Sequence, residues 1–347
     1  MPAPSLPELV ELERIVELGA GWLDLRTVGE AHCGDRRFPI YAVYMGDDGP
    51  QTPAAGFFGG VHGLERIGSA VVIAFLRSLV ARLRWDAVLQ RQLESVRLVF
   101  MPVVNPGGLW RGTRANPNGV DLMRNAPVDA GARTPFLIGG QRLSPSLPWF
   151  RGRKHAAMEP ESAALCSVVE AEFLLRPFSV VVDCHSGFGI NDRIWFPFAH
   201  TREPIPDLPE IFALSEIFRH AHPHHRYLFE PQSSQYLAHG DLWDYLYLRG
   251  RATPGRTFLP LTLEMGSWLW VRKNPRQILS LQGLFNPVRA HREQRVLRRH
   301  VAWLDFVSRA ACSHRQWTPA ADERSAIRDR ALAQWYGVGA PKRGGGG

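Results

Sequence analysis

Cysteine is sparse in this chain and poorly placed for cross-linking. Its four cysteines, Cys33, Cys166, Cys184 and Cys312, are scattered and form no Cys-x-x-Cys pair. Disulfide scaffolds and cysteine zinc sites need closer or more regular spacing. Free thiols in a reducing compartment are therefore expected. Cys184 has an apolar run on its N-terminal side and reads as a buried core residue rather than a nucleophile. Apolar runs are also short, and none reaches membrane-spanning length, so no membrane span is expected. The N-terminus lacks a signal-peptide core, because Glu8, Glu11, Glu13 and Glu17 stand where an apolar run would be needed. A cytoplasmic location is the expectation. Internal repeats are missing too, as is any composition break that would mark a second domain.

What is present is ordinary for a large globular fold. The 347 residues are 45% hydrophobic and 21% charged, enough to bury a sizeable core without staples. Lys and Arg number 41 against 33 Asp and Glu, for a formal net charge of +8. Much of the basic excess lies in residues 289–330, including Arg295, Arg298 and Arg299. That stretch reads as the solvated face of C-terminal helices. No motif interleaves aromatic and basic residues there, so no nucleic-acid partner is expected.

Residues 7–18 place apolar side chains at helical spacing behind a proline and stop at Gly19. Residues 36–45 read as a strand before a Gly/Asp turn at 46–49. Residues 54–61, 95–104, 178–184 and 258–264 are short apolar runs typical of buried strands. Helices are expected over residues 68–83 and 159–176, and again beyond Asn286. Residues 126–158 are rich in proline and glycine and read as an irregular exposed loop. Apolar strands alternating with helices give an α/β fold, with a mixed, largely parallel sheet flanked by helices on both faces.

Several chemistry-bearing residues stand at strand ends. His62-Gly63-Leu64-Glu65 follows the strand at 54–61, and two donors three residues apart can converge where Gly63 lets the chain bend. His185 closes the run Val-Val-Val-Asp-Cys-His before Ser186-Gly187, and Glu264 closes Leu-Thr-Leu-Glu. Open α/β sheets bind ligands at that edge. A carboxylate at a buried strand end is either paired or functional, because burying it alone is costly. Imidazole and carboxylate suit zinc, and three protein donors with one open position is the catalytic pattern.

The chain resembles the carboxypeptidase A-like family of zinc peptidases from about residue 54 to 268. The resemblance rests on His62-x-x-Glu65, Asn105-Pro106-Gly107-Gly108, Trp110-Arg111-x-Thr113-Arg114, Gly119-Val120-Asp121-Leu122-Met123-Arg124-Asn125, and the strand-end His185 and Glu264. Two segments are also similar to bacterial murein-peptide amidases: residues 114–122, and Glu159-Pro160-Glu161-Ser162 with Ala164-Leu165-Cys166.

The resemblance implies one zinc ion per chain, held by His62, Glu65 and His185. It implies Glu264 as general base, Arg111 as the arginine beside the oxyanion, and Arg124 as the clamp on a substrate carboxylate. Asn125 is grouped with that clamp as a substrate-binding residue, chiefly as a support of the loop, and Asp121 orients the first ligand histidine. A tyrosine that covers the substrate is matched by Tyr245 or Tyr247, with Tyr247 fitting the local pattern better. Met123 departs from the family, which places an asparagine there to bond the carboxylate.

The implied activity is removal of a C-terminal residue from a peptide. The alternatives are an N-acyl-amino-acid deacylase or a murein-peptide amidase on the same fold, or a non-catalytic binding protein. The substrate expected is a peptide or an acyl-amino acid. Residues 1–285 form the catalytic domain in this scheme, 286–340 a helical extension packed on it, and 341–347 a disordered tail. The histidines His220, His222, His224 and His225 have no family counterpart and read as a solvated loop.

Overall fold

A computed structural model describes residues 5–338; the tail assigned to 341–347 lies outside the described residues. The strands are β1 (Leu23–Cys33), β2 (Arg36–Gly46), β3 (Ala54–Gly59), β4 (Arg97–Met101), β5 (Phe178–Ser186), β6 (Arg193–Phe196), β7 (Leu228–Pro231) and β8 (Thr257–Met265). The helices are α1 (Pro7–Leu18), α2 (Arg66–Arg82), α3 (Ala87–Leu93), α4 (Pro106–Arg111), α5 (Pro160–Glu172), α6 (Leu208–Ala221), α7 (Leu242–Arg251), α8 (Trp268–Lys273), α9 (Leu281–Phe285), α10 (Ala290–Cys312) and α11 (Arg324–Tyr336).

The eight strands form one sheet in the order β1-β2-β4-β3-β5-β8-β6-β7. The pairings β3/β4, β3/β5, β5/β8 and β6/β7 are parallel, while β1/β2, β2/β4 and β6/β8 are antiparallel. The sheet is thus mixed and largely parallel at its centre. Every residue of β3 and β5 is buried, which explains why these strands read as unbroken apolar runs.

The edge strand β1 is mostly exposed or half-buried. It went unforeseen because its Leu-Asp-Leu-Arg alternation lasts only four residues and lapses at Thr27-Val28-Gly29, where the register also shifts. The irregular loop at 126–158 contains only an isolated bridge between Gln141 and Phe150. Cys184 lies in the core, and burial pushes its thiol well above the usual range.

α10 joins the same core as the sheet through Trp303, Leu304 and Val307. Trp303 packs edge-on to Phe218 and stacks on Phe306. The outer face of α10 leaves Arg295 and Arg298 exposed, whereas Arg299 pairs with Asp192 at 3.0 Å. The histidine loop is less solvated than its sequence suggests. His222 stacks on Phe218, and His225 meets the same ring edge-on.

Candidate metal centre

The site lies at the C-terminal ends of β3, β5 and β8, which run side by side. β3 stops at Gly59, and the loop at 60–65 carries His62 and Glu65 into the start of α2. Asn105 braces this loop. Its amide donates to the Val61 carbonyl at 3.2 Å, and its side-chain oxygen caps α4 by accepting from Gly108 N at 2.8 Å. The same packing explains Gly63. A Cβ there would fall 2.0 Å from the Gly108 carbonyl carbon, so glycine is required by close backbone approach rather than by the bend foreseen from sequence.

His62, Glu65 and His185 are all buried, and their donor atoms lie within 4.8 Å of one another. Among the described residues they form the one such group able to hold a metal ion. His62 Nδ1 is 2.9 Å from Glu65 Oε1, His185 Nδ1 is 3.1 Å from Glu65 Oε2, and the two Nδ1 atoms are 3.1 Å apart. Donors on a tetrahedral zinc with bonds near 2.0–2.1 Å sit roughly 3.3 Å apart. The observed spacing fits that ion.

The far side of each ring settles which nitrogen faces the centre. His62 Nε2 donates to Asp121 Oδ1 at 3.1 Å, and His185 Nε2 donates to Asp183 Oδ2 at 2.6 Å. With the proton held on Nε2, both Nδ1 lone pairs converge with the Glu65 carboxylate. Such convergence is repulsive unless a cation joins it. Burial alone would lower the His185 pKa, but Asp183 and Glu65 raise it well above the usual histidine value. Burial likewise opposes ionisation of Glu65 and Asp121, yet both stay below the ordinary carboxylate range. The imidazoles hold down Glu65, and Arg114 with His62 holds down Asp121. The centre is anionic and takes either a proton or a metal ion.

Glu264 lies beside His185 in register on the adjacent strand β8. Its Oε1 accepts from Phe188 N at 3.1 Å. Burial first, and then the negative charge of Glu65, push its pKa up to about 8.

The arginine foreseen beside the oxyanion is corrected. Arg111 Nε donates to Cys33 Sγ at 3.2 Å, and its Nη1 donates to the Pro117 carbonyl at 2.8 Å. These bonds turn it away from the centre. Arg114, the second arginine of the same motif, is at the centre instead. It donates from Nε to Asp121 Oδ2 at 2.8 Å and from Nη1 to Glu65 Oε1 at 3.3 Å. Only Gly112 and Thr113 separate the two arginines, but α4 ends between them and sends them in different directions; Gly112 closes the helix in the left-handed region.

Tyr247 is corrected as well. It is fully buried, and its hydroxyl donates to Asp207 Oδ2 at 2.7 Å, so it serves the core under α7. The tyrosine near the substrate loop is Tyr236, which sequence inspection missed because it sits in an irregular stretch. Its hydroxyl accepts from Arg124 Nη2 at 3.3 Å, and its ring meets Trp195 edge-on.

Asn125 does not offer its amide to a substrate. The nitrogen donates to the Arg151 carbonyl at 3.1 Å, and the oxygen accepts from Glu159 N at 2.7 Å. Met123 is buried in the main hydrophobic core. Asp183 was also missed, although its place two residues before His185 on one strand puts both side chains on the same face.

A profile of the zinc carboxypeptidase family matches residues 26–267. Over 192 residues the chain is 26% identical to Carboxypeptidase A1 of Homo sapiens, covering 51% of this chain and 43% of that protein. A stretch of 106 residues is 31% identical to Carboxypeptidase SOL1 of Arabidopsis thaliana, 30% of this chain and 21% of that one. The matches therefore span less than half the length of these curated relatives. Among solved structures, thrombin activatable fibrinolysis inhibitor superposes with a TM-score of 0.66 at 20% identity, over 87% of this chain and 71% of that chain. Carboxypeptidase A from Helicoverpa armigera does so with a TM-score of 0.65 at 16% identity, over 89% and 74%. At such identities the superpositions speak to the fold alone. The profile match over most of the residues, ending just past the strand that carries Glu264, shows that the chain belongs to the zinc carboxypeptidase family.

Proposed function

We propose that the protein hydrolyses the last peptide bond of a substrate with a free C-terminal carboxylate. The observation that carries this is Arg124. Its guanidinium is buried, and it bonds only to the Met123 and Ile138 carbonyls and the Tyr236 hydroxyl, with no carboxylate at ion-pair distance among the described residues. Asp121 and Asp241 act on it only at longer range, so a buried guanidinium with no carboxylate in direct contact is placed to take up an anion. A guanidinium suits a carboxylate because it can bind both oxygens. With Met123 apolar, Arg124 and Tyr236 hold that carboxylate without a neighbouring amide.

His62, Glu65 and His185 would hold a zinc ion, which when bound would supply Lewis acidity to the scissile carbonyl and to the attacking water. Glu264 takes a proton from that water and returns it to the leaving amine. Its raised pKa suits the second step, because burial favours the protonated carboxyl once the proton has moved. With Nε on Asp121 and Nη1 on Glu65, Arg114 is the guanidinium we assign to the developing oxyanion, a contact worth about 3–4 kcal/mol in the transition state. Asp121 and Asp183 keep the two imidazoles oriented throughout. The four unpaired thiols fit the reducing compartment in which we place the protein.

The test compares zinc-loaded enzyme on peptides with free and amidated C-termini. Free peptides should be cleaved at least about a hundredfold faster in kcat/KM, and Arg124→Ala should erase most of that preference. Equal cleavage of both by the wild type would end the carboxypeptidase assignment and leave a general amidase.

A further inference from the structure

Beyond β8 the chain runs from Met265 to Arg292 without a single aspartate or glutamate. Arg272, Lys273, Arg276 and Arg289 are exposed along it, and none has a carboxylate partner among the described residues. The same stretch exposes large apolar side chains. Leu279 is 88% exposed and Trp268 is 55%, with Ile278, Leu281 and Val288 between them in degree. Single exposed aliphatics are common, but a run of them in one short segment marks an interaction surface.

The patch is continuous with the metal edge. Trp268, Ile278, Leu284 and Phe285 wall an apolar cavity of about 640 Å³ together with Gly187 and Ile190. Gly187 lies two residues past His185, and Ser186 Oγ donates to the Phe285 carbonyl at 2.7 Å.

We propose that this face docks on an anionic phospholipid surface, with Trp268, Ile278, Leu279 and Leu281 entering the interfacial zone and Arg272, Lys273 and Arg276 meeting headgroup phosphates. Apolar side chains flanked by unpaired cations are the pattern of interfacial binding, and a bilayer satisfies both kinds at once. A second copy fits less well. A two-fold self-contact would set each cation cluster against its own duplicate. A single-stranded nucleic acid would use the charge and one aromatic ring but leave the aliphatics in water. Docked this way, the bilayer would lie next to the mouth of the metal centre.

Co-sedimentation of the full chain tests the proposal. The vesicles are phosphatidylcholine alone and phosphatidylcholine with about one third phosphatidylglycerol. Near an anionic surface each basic residue contributes about fivefold to partitioning. Binding to the anionic vesicles should be at least about tenfold stronger than to neutral ones, and molar salt should weaken it. Arg272→Glu with Arg276→Glu should abolish it, and Leu279→Asp with Leu281→Asp should reduce it about tenfold. All four positions are exposed, so the zinc content and unfolding midpoint of these variants should match the wild type. No binding to anionic vesicles would overturn the proposal. So would undiminished binding by the leucine variant, since charge alone would then account for it. Concentration-dependent dimerisation that Leu279→Asp abolishes would reassign the face to a second copy.

Discussion

Replacing Asp121 with asparagine asks how the metal centre is held. One oxygen of Asp121 accepts from His62 Nε2 at 3.1 Å and from Met123 N at 3.1 Å, and the other accepts from Arg114 Nε at 2.8 Å. An asparagine keeps the shape but has one acceptor oxygen and no charge. Either His62 or Arg114 then faces an amide NH2, donor against donor. If the oxygen stays with His62, Arg114 is left with Glu65 as its only carboxylate, which drains charge from a ligand. If it turns to Arg114, the His62 ring loses the bond that fixes its tautomer.

Outer partners of metal-bound histidines are typically worth 10- to 100-fold in affinity, or about 1.4–2.7 kcal/mol. The Asp121→Asn variant should therefore bind zinc about 10- to 100-fold more weakly. Competition against a chromophoric chelator at fixed pH measures this on metal-free protein, and thermal unfolding without zinc checks the fold. Zinc affinity within about twofold of wild type in a folded variant would refute the claim that Asp121 orients His62.

Other consequences are open to test. In the metal-free protein His185 carries a proton well above the ordinary histidine pKa, so its contribution to stability is full below about pH 6.5 and fades as pH rises through the raised value. Zinc must displace that proton, so its affinity should rise by up to about tenfold per pH unit below the raised value; a flat profile by competition titration would count against it. Arg114→Ala should lower kcat/KM by about two orders of magnitude or more while Arg111→Ala leaves it nearly unchanged, and steady-state kinetics that reverse this order would restore Arg111 to the centre. Tyr247→Phe should lower stability by about 1–3 kcal/mol, because Asp207 is buried and loses its hydroxyl donor. Denaturant unfolding would show the loss, and a large drop in turnover at full stability would mean that Tyr247 does reach the substrate.

The sheet was legible where it is buried on both faces. The runs containing β3, β5 and β8 are apolar because water touches neither side, and their polar ends stood out as His62, His185 and Glu264. β1 was not legible, since its alternation stops after Arg26, ahead of the register shift between Thr27 and Gly29. Residue choice within a motif was also beyond the sequence. Arg111 and Arg114 are equally basic and three residues apart, and only the end of α4 at Gly112 decides which one meets Asp121. Tyr247 lies on α7 with helical spacing that suits a core position as well as a site. Tyr236 belongs to an irregular loop with no periodicity to read, so its place beside Arg124 depends on long-range packing. Asp183 could have been found from strand alternation, because residues two apart on a strand share a face.

We assign Glu264 as the base beside a zinc ion that His62, Glu65 and His185 would hold. Turnover of zinc-loaded Glu264→Gln on a free peptide tests it most directly. Glutamine keeps the shape and can still accept from Phe188 N, but it cannot take a proton at neutral pH. We expect one zinc per chain and a kcat lower by about 10²–10⁴-fold. A variant that binds zinc fully and turns over at the wild-type rate would remove Glu264 from the role of base.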